Sequence, residues 1–199
     1  MKSHRYWNRF ALAILLGLAA TGSQAHTGHG TSGLFEGLAH PFGLDHLLAM
    51  LAVGLWSVSA LPANKAWQGP ATFMASLVAS AVAGMLGFTV PFLENLISLS
   101  VVVFGAMLIM AQLKTKPKVG LSLIALAAAM HGLAHGAESP ESGFVAYALG
   151  FLLTTALLHI GGVTVGLGIK RFAPNKASFF TGTLGLIFGA AGVYLCSQL

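Results

Sequence analysis

From residue 34 to residue 197 the chain is an almost unbroken apolar stretch, interrupted only at five short places where Pro, Gly, Lys or Glu gather. That pattern leaves few folds open. The hydrocarbon core of a bilayer is about 30 Å thick, and an α-helix needs about 20 apolar residues in a row to cross it. The interruptions divide the stretch into six runs of suitable length: 34–61, 71–90, 96–113, 119–137, 144–169 and 177–197. Only 8% of the residues are charged, against about 25% in soluble domains, so no extramembrane domain fits. The expectation is an all-α polytopic membrane helix bundle with six transmembrane helices forming one domain, 34–199.

Residues 1–25 have the form of a secretory signal peptide. Lys2, Arg5 and Arg9 form a basic start, residues 10–20 an apolar core, and Ser23-Gln24-Ala25 offers small residues for cleavage. Cleaved or retained as a first helix, it places the chain from residue 26 outside the cytoplasm. Cleavage after Ala25 makes His26 the new terminus of a short periplasmic segment, 26–33. Its α-amine, its imidazole and His29 can then chelate a transition metal of the kind imidazole suits. The plain alternative is a Gly/Thr/Ser linker with two incidental histidines. Cys196 is the one cysteine, which excludes an intramolecular disulfide and a cysteine-based metal cluster.

Charge then sets orientation. The net charge of +5 does not mark a nucleic-acid binder, because the basic residues are few and dispersed over loops. If the first span starts outside, the inner loops hold Lys65, Lys114, Lys116, Lys118, Lys170, Arg171 and Lys176, which are all the basic residues after residue 25. The outer turns hold none. This obeys the positive-inside rule and leaves the C-terminus periplasmic. Gly162-x-x-x-Gly166 and Gly185-x-x-x-Gly189 put small residues on one helix face, which serves packing within the bundle or a homo-oligomer.

Ionisable residues inside membrane spans are costly and usually functional. The histidines beyond residue 33 are His40, His46, His131, His135 and His159, all in runs one, four and five. His131 and His135 are four apart and Glu138 three further on, so one helix face carries all three if the helix persists that far. Gly132 and Gly136 are expected to keep the neighbouring surface open. In run one, His40 and His46 would point about 120° apart on a straight helix of ~3.6 residues per turn. Pro41 and Gly43 imply that the helix begins or bends there, which lets His40, Asp45 and His46 converge. Asp45 can ligate directly or accept the N–H of a ligand histidine and fix its tautomer. Met50 is more readily a core residue than a thioether ligand. With His159 deeper still, the nitrogens describe a line from outside to inside, as a metal conduction path would require.

The motifs His40-Pro41-Phe42-Gly43-Leu44-Asp45-His46-Leu47-Leu48-Ala49-Met50 and His131-Gly132-Leu133-Ala134-His135-Gly136-Ala137-Glu138 resemble those of the HupE/UreJ family of small membrane proteins associated with hydrogenase and urease. The likeness extends over nearly the whole chain. The His-x4-Asp-His within the first motif is similar to the signature of nickel/cobalt transporters. The resemblance implies a bacterial inner-membrane transporter of nickel or cobalt, with the histidines and aspartate of run one as metal ligands and His131, His135 and Glu138 in the same site. The metal is then cargo rather than a resident cofactor, and the partners are the bilayer and hydrogenase or urease maturation proteins. An accessory protein that holds metal without transporting it is the competing reading. An intramembrane metallohydrolase fits poorly, because His-Glu-x-x-His is absent and Glu138 is expected at the surface.

Overall fold

A computed structural model describes residues 33–111, 113, 116–140 and 142–199. The signal-peptide and N-terminal-segment expectations, with His26 and His29, lie outside these residues, as does Lys114. The described chain is helical, without strands. Its α-helices, in order, are α1 (Gly33–Ala39), α2 (Leu44–Ala60), α3 (Gln68–Met85), α4 (Leu93–Met110), α5 (Pro117–Ala137), α6 (Phe144–Phe172) and α7 (Ala177–Cys196). Short 3₁₀ turns at His40–Phe42, Ala63–Lys65 and Pro174–Lys176 link some of them.

Run one is two helices. The 3₁₀ turn at His40–Phe42 separates α1 from α2, and the axis bends by 70° there. The residues explain the break. Pro41 has no N–H for a helical hydrogen bond, and Gly43 adopts an extended backbone with ψ near 138°. Leu47 then donates back to the Gly43 carbonyl and opens α2.

Among the described residues, α4, α5, α6 and the Pro174–Cys196 segment are each long and apolar enough to cross a membrane, and the α1–α2 pair makes five if it is one bent span. The expected second span, α3, is long enough but less apolar, because it opens on Gln68, Gly69 and Pro70 and carries Ser76 and Ser80. By length and apolarity this is a membrane protein of four to five such helices.

The bundle is organised around α2. It packs on α6, α4, α3 and α7, and its residues from Leu48 to Trp56 are largely buried. Glycine permits the closest of these approaches. A Cβ on Gly54 would collide with the His159 carbonyl, and one on Gly162 with the backbone of Leu51, so α2 and α6 touch nearly backbone to backbone. Gly185 and Gly189 bring α7 equally close to Gly105 of α4. Both Gly-x-x-x-Gly pairs therefore contain contacts inside the bundle. Leu149, Leu153, Leu157 and Ile160 of α6 and Leu186, Ile187 and Val193 of α7 are exposed, an apolar outer surface suited to lipid.

At one end Lys170 Nζ donates to the Val58 carbonyl at 2.5 Å, and Gly120 sits under the Trp56 ring. The C-terminal ends of α2 and α6 and the start of α5 thus share one end of the bundle. Gly33 lies against Gly143 at the start of α6, on the opposite end.

Candidate metal site

The bend in run one aims the site. The 3₁₀ turn carries His40, and the first turn of α2 carries Asp45 and His46. From across the bundle, α5 presents His131 and His135, one helical turn apart and both buried. One ring nitrogen each from His40, His46 and His135 lies within 4.8 Å of the others. His46 Nε2 and His135 Nε2 are 2.6 Å apart. The His40 and His135 rings meet edge to face at 4.7 Å between centroids, and the His46 and His131 rings at 4.6 Å.

Asp45 acts on this cluster through His46. Its Oδ1 accepts from both the His46 backbone N–H and the His46 Nδ1, each at 2.8 Å. A carboxylate can only accept, so His46 Nδ1 carries a proton, and in the neutral ring Nε2 is then a lone pair. Opposite the lone pair of a neutral His46, the 2.6 Å contact takes its proton from His135 Nε2. Asp45 therefore lies outside the three-nitrogen group and fixes the ring that belongs to it, the arrangement seen around metal-binding histidines.

Among the described residues, the buried side-chain polar atoms without a hydrogen-bond partner are His131 Nδ1, His135 Nδ1, Thr155 Oγ1 and His159 Nε2. A buried polar atom left unpaired costs about 1–3 kcal/mol. Three of these atoms are imidazole nitrogens, and imidazole nitrogen is a good donor to first-row transition metals. His159 on α6 donates from Nδ1 to the Thr155 carbonyl at 2.8 Å, which leaves its Nε2 as a lone pair. His159 is not part of the three-nitrogen group. The wholly buried Phe73 ring of α3 lies 5.7 Å from the His131 ring and 4.9 Å from the His159 ring, so a single aromatic side chain touches both.

Glu138 is placed differently from the histidines. The α5 helix ends at Ala137, and Glu138 is an exposed residue at its C-terminal cap. It stands at the rim, outside the three-nitrogen group. Met50 is wholly buried in the apolar core that includes Phe73, Val101 and Phe104. Gly132 and Gly136 do not leave an open surface, which corrects that expectation. A Cβ on either would collide with α3, at the Leu77 carbonyl for Gly132 and the Ala81 carbonyl for Gly136. The space their side chains would take is filled by α3, which packs more extensively on α5 than on any other helix. His135 and Gly136 also border an apolar cleft between α3 and α6, lined by Val78, Val82, Tyr147 and Phe151.

Sequence reasoning missed several neighbours of the site. Phe73 is one apolar residue among many. Tyr147 and Phe151 stack on each other and lie against His40, with no pattern to announce it. Ser100 of α4 lies 3.1 Å from His131 Nε2 through its Oγ. A hydroxyl inside the run 96–113, which has no ionisable residue before its basic flank, was the available signal for it.

A family model described as "HupE / UreJ protein" matches residues 13–195. A protein named "Protein HupE" from Rhizobium leguminosarum bv. viciae is 38% identical over 152 residues, covering 75% of this chain and 78% of that relative. No solved structure matches the chain.

Proposed function

The chain belongs to the HupE/UreJ family, and on that premise we propose that it carries nickel ions, or cobalt in their place, across the bacterial inner membrane to supply hydrogenase or urease maturation. The observation that carries the reading is the convergence of His40, His46 and His135 to within 4.8 Å from segments far apart in sequence. Three imidazoles suit nickel and cobalt alike, and in the interior of an apolar bundle a bound dication offsets the cost of burying Asp45.

In this reading α1–α2 is one broken span and α3 to α7 are the other five. The signal peptide 1–25 is removed, both mature termini are periplasmic, and the basic loops face the cytoplasm. Broken spans whose unwound part lines a site are common in transporters, and the 70° bend has that form. His26 and His29 capture the ion, the exposed Glu138 raises its concentration at the mouth, and His40, His46 and His135 strip its water. His131 and then His159 take it inward.

The 2.6 Å separation of His46 Nε2 and His135 Nε2 is a hydrogen bond in waiting for an ion. Two imidazole nitrogens at about 2.1 Å from one metal stand roughly 3.0–3.4 Å apart, from a right angle to a tetrahedral one, so the rings part by about 0.4–0.8 Å when the cargo enters. The proton on His135 Nε2 must leave that nitrogen, and the partnerless Nδ1 of the same ring can take one up. The driving force is the membrane potential: a dication moving through 100 mV gains about 4.6 kcal/mol, twice the single-charge figure.

Purified protein in vesicles loaded with a nickel-sensitive dye tests the proposal. Entry faster than in empty vesicles, lost in His46→Ala, supports transport. Entry no faster than in empty vesicles would leave a metal-holding accessory protein as the reading.

A further inference from the structure

The contact between Ser100 and His131 assigns a role to a helix that contributes no histidine. Ser100 Oγ lies 2.6 Å from the Ile97 carbonyl and 3.1 Å from His131 Nε2. Both side chains are buried, Ser100 at 5% exposure and His131 at 0%. A serine hydroxyl has one proton. At 2.6 Å from a carbonyl oxygen that proton is committed, as is usual for serine inside a helix. The Oγ lone pair is then what faces His131, and it can only accept. Nε2 therefore carries the imidazole proton, and Nδ1 is left as a lone pair. That same Nδ1 is buried and has no partner, in a ring set edge to face against His46.

We propose that Ser100 is a positioning residue that locks His131 in the Nε2–H tautomer, so that His131 offers Nδ1 as a further nitrogen donor beside the His40, His46 and His135 group. Ser100 does for His131 what Asp45 does for His46. Each holds the far nitrogen of its imidazole and so determines which nitrogen is bare. The hydroxyl is the neutral counterpart of the carboxylate, so the second histidine is oriented without another buried charge. This inference rests on the metal-site reading for its purpose, but not for its geometry.

The test uses the full chain in lipid nanodiscs with 15N-labelled histidine, without metal and then titrated with Ni²⁺. His131, assigned by its loss in His131→Gln, is expected to show the Nε2–H nitrogen shifts in the metal-free wild type. Ser100→Ala is expected to mix the two tautomers and to raise the apparent Kd for Ni²⁺ at least about tenfold, the lower end for loss of such a hydrogen bond. Ser100→Thr keeps the hydroxyl and is expected to restore both. A wild-type His131 carrying its proton on Nδ1 overturns the proposal, and this needs no variant to fold. So does a folded Ser100→Ala with an unchanged tautomer and a Kd within twofold of wild type. If the wild type binds no Ni²⁺, the transport reading fails while the tautomer still decides the role of Ser100.

Discussion

His46 Nε2 and His135 Nε2 lie 2.6 Å apart, although 89 residues separate them in the chain. This contact joins the first turn of α2 to the last turns of α5, and it exists because the chain breaks at Pro41. Remove either imidazole and the three-nitrogen group falls to two. His46→Ala and His135→Ala are each expected to raise the Kd for Ni²⁺ by at least a hundredfold, measured by competition with a coloured chelator. An affinity within threefold of wild type in either variant would detach the group from metal binding.

Asp45 should behave as an orienting group. Asp45→Asn keeps the size of the side chain but loses the charge that holds the His46 proton on Nδ1. Losses of this kind cost about 10–100-fold in metal affinity. The expected outcome is weakened binding with the same number of nitrogen ligands, read from the visible spectrum of the Co²⁺-loaded protein. Loss of an oxygen ligand from that spectrum would make Asp45 a direct ligand.

Met50→Leu separates core from ligand. Met50 is wholly buried among apolar side chains, and a volume-conserving swap there usually costs less than about 1.5 kcal/mol. Uptake in vesicles is expected to stay within twofold of wild type. A folded Met50→Leu protein without uptake would identify the thioether as a ligand.

Glu138→Gln should change capture more than retention. The carboxylate is exposed at the end of α5, so it acts on an approaching cation. Slower uptake at low Ni²⁺ is expected, with the Kd of the histidine group within threefold of wild type and the uptake defect shrinking as Ni²⁺ rises. A hundredfold loss of affinity would bring Glu138 into the site itself.

Much of the site could be read from residue chemistry. Pro41 and Gly43 announced the break, and the His131–His135 spacing announced a shared face, because both depend only on local backbone rules. The role of Glu138 was less legible, since i+3 spacing places it on the face only while the helix continues, and α5 ends one residue earlier. Gly132 and Gly136 mislead because a glycine looks the same in sequence whether it leaves space or lets another helix fill it. Phe73 was invisible, and Ser100 was marked by nothing more than a hydroxyl in an apolar run, for a related reason: their importance lies in contacts between helices, and no spacing along one helix encodes them. The apolarity of α3 is overestimated from its middle, where the polar first turn has no weight.

Transport in this form requires that a first-row metal ion sit among His40, His46 and His135. X-ray absorption at the nickel edge of the full chain, loaded with one equivalent of Ni²⁺ in nanodiscs, tests this most directly. At least three imidazole nitrogens are expected at about 2.1 Å, falling by one in His135→Ala. A nickel ion surrounded by oxygen alone, or one whose nitrogen count is the same in His135→Ala, would contradict it.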